Sequence, residues 1–332
     1  MSRAHRSWVM KAVALGAAAV MLLPAGSAVA SSGAHDGADQ QPVAEVSREA
    51  PTGVVALGDS YSSGLGTEAY EDDCDRTQQA WVWLIFADDV PASERTLLAC
   101  SGAVIDDVYD QVDELEAVSG AGGRLITVTV GGNDVGFANE LANCFVPFVS
   151  CTNREDAIMA EINALANPLT ELYLAVQSAA PGDELIVGGY PFLVPDPDVR
   201  SSCSALTPLL SSPERQMIRR LGSALNEVTE EAASAAGVRS AGTQLEQVFD
   251  GHEACANGPD DWLNGLKLGR SSGVDNTSAG EQATEAASDD PDDPEFEPYW
   301  DIISDFVRDS FHPNAAGQAG YADAFASVWG SS

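Results

Sequence analysis

The sequence predicts a three-layer α/β/α sandwich, in which a mainly parallel sheet of about five strands is covered by helices on both faces. Three observations predict it. Short runs of β-branched and aliphatic residues alternate with longer stretches of helical spacing. Several runs stop abruptly in small turn-forming residues, at Gly58-Asp59-Ser60, Ser101-Gly102-Ala103 and Gly131-Gly132-Asn133-Asp134. Once an N-terminal leader is set aside, about 300 residues remain, which suits one large domain better than two.

The leader comes first. Arg3, Arg6 and Lys11 precede an apolar stretch, Ala12 to Leu23, that is short for a bilayer span. Ala28-Val29-Ala30 has the small-x-small form of a cleavage site. Residues 1–30 therefore read as a secretory signal peptide cut after about Ala30, which predicts a secreted protein with no stable membrane anchor. Residues 31–50 are polar and read as a flexible leader, leaving 51–332 as the folded domain.

Charge narrows the partners. The chain carries 16 Lys and Arg against 51 Asp and Glu, a formal charge of −35. Loss of the signal peptide removes three cations and no acids, so 13 cations face 51 acids, a net charge of −38. So acidic a surface argues against nucleic acid and anionic lipid surfaces as partners. Six cysteines (Cys74, Cys100, Cys144, Cys151, Cys203 and Cys255) in an exported chain point to disulfides. Fifteen pairings are possible, of which nearest-neighbour pairing is the most economical. The absence of any Cys-x-x-Cys pair ranks zinc below disulfides.

The elements follow in order. Val54 to Leu57 is a buried strand that runs into the serine turn. Gln78 to Phe86 has the broad apolar face of a helix. Thr96 to Cys100 is a second strand, followed by a helical segment to about Leu115. Leu125 to Val130 is the clearest strand, rich in β-branched residues. Glu155 to Ala179 has helical spacing, interrupted at Pro168. Glu184 to Gly189 is a fourth strand and Val238 to Ala241 a short fifth. Between them lies a long helix, Pro213 to Ala236, whose proline suits its first turn. Residues 269–298 form an acidic insertion that reads as a solvated loop in preference to a calcium site, because EF-hand spacing is missing. Asn314 to Val328 closes the chain as a helix. Right-handed crossovers put the strand ends of such a sheet on one edge, so Ser60, Gly102 and Asn133 converge there despite their separation in sequence.

The chemistry that such an edge supports depends on what joins Ser60. A serine hydroxyl becomes a nucleophile only with a base in hydrogen-bond reach, itself oriented by a third group. Of the histidines beyond the signal peptide, His35 lies in the leader and His252 lies near Cys255, where it reads as structural. His312, in Asp309-Ser310-Phe311-His312-Pro313-Asn314, is the expected base. Asp309 is the expected orienting acid, ahead of Asp301 and Asp305, because a tight turn can bring its carboxylate to the imidazole N–H. The backbone N–H groups of Ser60 and Gly102 and the side-chain amide of Asn133 are the expected oxyanion donors. There is no Gly-x-Ser-x-Gly elbow, since Ser62 stands where its last glycine would be.

The segments Leu57-Gly-Asp-Ser-Tyr61, Ala99-Cys-Ser-Gly-Ala103, Gly131-Gly-Asn-Asp-Val-Gly-Phe137 and Asp309-Ser-Phe-His-Pro-Asn314 together resemble the SGNH hydrolases, also called the GDSL family. The resemblance runs from about Gly53 to Gly330 and is nearest to the secreted actinobacterial lipase/esterase branch. It places the four family residues on Ser60, Gly102, Asn133 and His312. It implies a flavodoxin-like sandwich and hydrolysis of carboxylic acyl esters through an acyl-enzyme, with no metal or other cofactor. It also implies disulfides in sequence order: Cys74–Cys100, Cys144–Cys151 and Cys203–Cys255. In some relatives of this branch a backbone carbonyl, not a carboxylate, orients the histidine. The expected partner is a small acyl-ester or lipid substrate met by a monomeric chain. Phospholipase and carbohydrate O-deacetylase are the alternatives on the same site, and a silent lipid- or carbohydrate-binding module is the alternative outside catalysis.

Overall fold

The sheet assembles from five strands: β1 (Val54–Gly58), β2 (Arg95–Leu97), β3 (Leu125–Thr129), β4 (Glu184–Val187) and β5 (Arg239–Ser240). Their spatial order is β2-β1-β3-β4-β5, and every pairing is parallel. The computed structural model describes residues 48–118, 120, 122–144, 150–203, 209–267 and 308–331, all within one compact unit, Ser47–Ser332. The signal peptide, most of the leader, the 269–298 insertion, Asp301 and Asp305 lie outside the described residues. β1 and β3 are buried along their whole lengths, as parallel strands covered on both faces must be.

Among the described residues the helices, in chain order, are α1 (Ser60–Ser63), α2 (Trp81–Leu84), α3 (Ile105–Ala117), α4 (Phe137–Cys144), α5 (Glu155–Ala164), α6 (Ala166–Ala179), α7 (Ser212–Ala236), α8 (Gly242–Phe249) and α9 (Ala315–Gly330). One set packs side by side as α3, α6 and α7, with α5 against α7; the other packs as α2, α9 and α8. The strand order doubles back around β1, so crossovers leave β1 in both directions. Such a switch point opens a crevice beyond the carboxyl ends of the strands.

Several elements are shorter than their sequence patterns. The helix expected over residues 78–86 is only one turn, Trp81–Leu84. The buried guanidinium of Arg95 explains this: it takes the carbonyls of Val82, Phe86 and Val90 as acceptors, and Phe86 adopts φ +50°. Carbonyls turned toward a buried cation cannot continue a helical ladder. β2 stops at Leu97 because the N–H groups of Leu98 and Ala99 both donate to Ala56, which ends the regular pairing. The long pattern over residues 155–179 divides at Leu165 into α5 and α6, and Pro168 falls in the first turn of α6, where its missing N–H is tolerated. α7 begins on Ser211, whose N–H and hydroxyl both donate to Glu214 at 2.8 and 2.7 Å.

Three disulfides form: Cys74–Cys100, Cys144–Cys151 and Cys203–Cys255. The first closes 26 residues and ties the loop after α1 to the turn after β2. In chain-entropy terms such a closure stabilises by about 3 kcal/mol.

The chain bends at Gly58, where φ is +118°. A Cβ there would lie 2.1 Å from the carbonyl oxygen of Thr129. Gly58→Ala is therefore expected to destabilise the fold by about 2–4 kcal/mol, through steric overlap plus the left-handed backbone. A melting curve of the purified variant checks this; an unshifted midpoint contradicts it.

Candidate active site

Ser60 opens α1 directly after the Gly58 bend. The carboxylate of Asp59 caps the helix by accepting from the Tyr61 N–H at 3.0 Å. This capping holds the short helix and with it the Ser60 hydroxyl, which is almost entirely buried at the floor of the site. His312 arrives from the opposite end of the chain. Its Nε2 lies 2.8 Å from Ser60 Oγ, a contact between residues 252 positions apart.

The histidine is oriented by the main chain. His312 Nδ1–H donates to the Ser310 carbonyl at 3.0 Å, which leaves Nε2 free to accept from the Ser60 hydroxyl. This corrects the expectation for Asp309. Its carboxylate accepts instead from the Tyr70 hydroxyl at 2.6 Å, and the phenol in turn accepts from the N–H groups of Gly66 and Glu68. Phe311 adopts φ +62°, which folds the Ser310 carbonyl back toward the ring before the side chain of Asp309 can reach it. A bulky residue in that region marks local strain held by its surroundings. Those surroundings are explicit: Asn264 accepts from the Phe311 N–H, donates its own N–H to the His312 carbonyl, and spans Gly66 and Asp309 with its side-chain amide. Tyr61 adds a fifth tie, its hydroxyl donating to the Phe311 carbonyl at 2.8 Å while its ring lies 5.0 Å from the imidazole.

Burial pushes the His312 imidazole down to about 4, against smaller upward pulls from the Ser310 carbonyl and the Asp309 charge. The imidazole is thus neutral across the physiological range and ready to accept a proton. Burial acts the other way on Asp59, raising it to about 6 although Tyr190, Thr129 and Tyr61 all donate to its carboxylate.

The oxyanion candidates occupy the two neighbouring turns. The Asn133 side-chain amide donates to the Ala103 carbonyl at 2.9 Å, and Asp134 accepts from the Ile105 N–H at 3.1 Å. These bonds clip the turn after β3 to the turn after β2. Gly102 lies in the second of these turns at φ +82°. Among the described residues, the N–H groups of Ser60 and Gly102 donate to no protein acceptor. Gln111 of α3 braces the bend from behind, accepting from the Gly58 N–H at 2.7 Å and donating to its carbonyl at 2.9 Å. His252 takes no part: it stacks on Trp262 at 3.9 Å and its Nδ1 bonds to the Asp260 carbonyl.

A cleft opens over Ser60 and His312, enclosing about 660 Å³ of non-atom space, part of it open solvent. Its far wall is apolar, formed by Phe137, Leu141, Phe192, Leu193, Ile218 and Leu225.

A family model, the GDSL-like lipase/acylhydrolase family, matches residues 56–319. The chain belongs to this family. It is 33% identical over 260 residues to Lipase 1 of Streptomyces coelicolor, covering 76% of this chain and 88% of that one. It is also 33% identical over 222 residues to a lipase of Streptomyces rimosus, covering 65% of this chain and 78% of the relative. Among solved structures, a phospholipase A1 from Streptomyces albidoflavus NA297 superposes with a TM-score of 0.62 at 30% identity, over 84% of this chain and 99% of that one. The extracellular lipase of Streptomyces rimosus follows at 0.60 and 28%, over 83% and 99%. This GDSL-like hydrolase is accordingly a carboxylic ester hydrolase built on the SGNH sandwich.

Some of the site's supporting residues carry no sequence mark. Tyr70, Tyr190, Asn226 and Asn264 stand alone in loops or on a helix with nothing in their spacing to single them out. Gln111 was findable: it falls on the apolar stripe of α3 with Ile105, Val108, Val112 and Leu115, where a polar side chain needs a buried partner.

Because a carbonyl faces Nδ1, Asp309→Asn is expected to leave ester hydrolysis within about tenfold of the native rate. Removing an orienting carboxylate costs on the order of 10⁴-fold. Steady-state hydrolysis of a soluble aryl ester distinguishes the two.

Proposed function

We propose that this hydrolase is a secreted lipase or esterase in which Ser60 is the nucleophile and His312 the general base. The hydrogen bond between Ser60 Oγ and His312 Nε2, at the floor of a cleft with an apolar wall, is the observation that carries this reading. Ser60 attacks the acyl carbon as its proton passes to Nε2. The Ser310 carbonyl holds the imidazolium through Nδ1–H. The N–H groups of Ser60 and Gly102 and the free N–H of the Asn133 amide stabilise the oxyanion, each worth about 3–4 kcal/mol. His312 then protonates the departing alcohol. A water activated by the same imidazole releases the acid from the acyl-enzyme.

The apolar wall supports an acyl ester with a hydrophobic chain as substrate, since each methylene buried there gains about 0.8 kcal/mol. The similarity to Streptomyces lipases and to a phospholipase A1 fits the same substrate class. A phospholipid is the second reading, favoured by that structural relative. Export rests on the basic and apolar N-terminus, the cleavage-site pattern and the three disulfides.

Three outcomes test this. Ser60→Ala is expected to abolish hydrolysis of an acyl-ester series and labelling by a serine-directed phosphonate while the fold persists; full turnover by the folded variant ends the proposal. Gly222 lines the cleft, and a Cβ there would have only Phe192 within 4 Å, at 3.9 Å. Gly222→Phe should therefore lower kcat/KM for a dodecanoyl ester at least tenfold while sparing an acetyl ester; equal effects on both argue against acyl binding in this cleft. The depressed His312 sets the pH profile. The neutral, accepting imidazole persists above about 4, so kcat/KM should fall only as pH drops through that value. The stability sign is the same: between the ordinary 6.5 and about 4 only the unfolded imidazole takes up a proton, so acidification across that window weakens the fold. An acid limb set by His312 at 6.5 would contradict the burial.

A further inference from the structure

Tyr190 lies just beyond β4, on no element that carries the serine, the histidine or the oxyanion amides. Yet its hydroxyl is the point where three strand ends meet. It donates to Asp59 at the end of β1 and accepts from the Gly132 N–H, at 3.2 Å, at the end of β3. Gly132 directly precedes Asn133, and Asp59 directly precedes Ser60. The phenol therefore bridges the residue before the proposed nucleophile to the residue before the proposed oxyanion amide.

The rest of the side chain and its backbone are fixed. The Tyr190 N–H donates to Asn226 Oδ1 and its carbonyl accepts from Asn226 Nδ2, both at 2.8 Å. The same amide donates to Glu246 at 3.0 Å, joining α7 and α8 to the loop. The ring of Tyr190 meets that of Tyr61 edge-on at 5.0 Å, and Tyr61 in turn packs against the imidazole. On the other side of Asp59, Thr129 donates to the carboxylate at 2.8 Å and bonds to the Ser62 hydroxyl at 2.8 Å. Every partner around Asp59 thus holds one geometry between the β1 and β3 turns.

We infer that Tyr190 is a positioning residue for this reaction, setting the distance between the Ser60 hydroxyl and the Asn133 amide through its paired hydrogen bonds to Asp59 and Gly132. The inference rests on the proposed roles of Ser60 and Asn133. Stabilisation of an oxyanion is steep in geometry, because donors must lie at hydrogen-bond distance from the charge as it develops, not from the ground-state carbonyl. A misplacement of about 1 Å can cost on the order of 100-fold. Loss of the phenol hydroxyl therefore penalises the transition state more than substrate binding. Tyr190 touches no reacting atom in this scheme. Burial and the approach of Asp59 both hold its hydroxyl protonated, as a donor to that carboxylate must be.

The test is Tyr190→Phe, which keeps the ring and its packing and removes only the hydroxyl. With a soluble butanoyl aryl ester, kcat should fall about 10- to 100-fold with KM within twofold, and the rate of inactivation by a serine-directed phosphonate should fall in proportion to kcat/KM. A merely structural role predicts a lower melting midpoint with native kcat in the folded fraction. Native kcat, or a loss confined to KM, overturns the inference. If the single variant does not fold because Asp59 loses a partner, the Asp59→Asn/Tyr190→Phe double variant, which removes the buried charge, is compared with Asp59→Asn alone, and the ratio of the two is judged by the same outcomes. Ser60→Ala run beside them separates the two claims: turnover by that variant defeats the proposed nucleophile, whereas an inert Ser60→Ala with native kcat in Tyr190→Phe defeats only the positioning role.

Discussion

A single hydrogen bond, Ser60 Oγ to His312 Nε2, joins residues 252 positions apart, and much of the surrounding structure holds its two ends. One end is pinned by a bend that only glycine tolerates, by the Asp59 cap and by Gln111 from beneath. The other end is a loop with Phe311 in a strained backbone conformation. It is held by Asn264, Tyr61 and the Asp309–Tyr70 pair, and it is closed off by α9, whose first turn is capped by Asn314 at 3.0 and 3.2 Å. Gln318 on that helix bonds to the Tyr61 carbonyl and to the Trp81 N–H, so the two ends share a strut.

This arrangement explains why the site tolerates a backbone orienter. A carboxylate beside the imidazole would stabilise the imidazolium strongly, but it would also raise the histidine's proton affinity and need desolvation of a full charge. A carbonyl fixes the same tautomer at lower electrostatic cost. Asp309 is not idle. Its charge still pulls the imidazole's proton affinity upward against burial, while its carboxylate, through Tyr70, organises the loop that begins at Gly66. One residue thus stabilises the histidine loop structurally and influences the imidazole only at a distance.

The sequence carried the fold and the residues that meet at the candidate site well, and it carried their supports poorly. β1 and β3 were legible because a strand buried on both faces has to be continuously apolar, and their ends were legible because tight turns demand small residues. Ser60, Gly102, Asn133 and His312 sat in local patterns distinctive enough to name. The orienter was misassigned because sequence shows side chains and hides carbonyls: Asp309 was the visible acceptor, and the Ser310 carbonyl competes only once Phe311 takes positive φ. The one-turn α2 was overextended for a similar reason. An apolar pattern records which face is buried, and nothing local reveals that Arg95 of β2 will claim the carbonyls of Val82 within α2 and of Phe86 and Val90 just beyond it.

The residues that stayed hidden share a physical character. Tyr190, Asn226, Asn264 and Tyr70 each make hydrogen bonds across long stretches of chain, 36 positions for Tyr190 to Asn226 and 239 for Tyr70 to Asp309. Their contribution depends on distances set by the folded sheet, so no spacing rule encodes them. They are also where the geometry of the site is decided. Strand ends in a parallel sheet converge on one edge by topology alone, but topology places them only to within several ångströms. The last ångström comes from buried polar side chains that would be costly anywhere else. A buried Asp59 with a raised proton affinity is tolerable because Tyr190, Thr129 and Tyr61 satisfy it, and their satisfaction fixes the turns on either side. A buried carboxylate that destabilises by its burial thereby becomes the group against which the two halves of the site are measured.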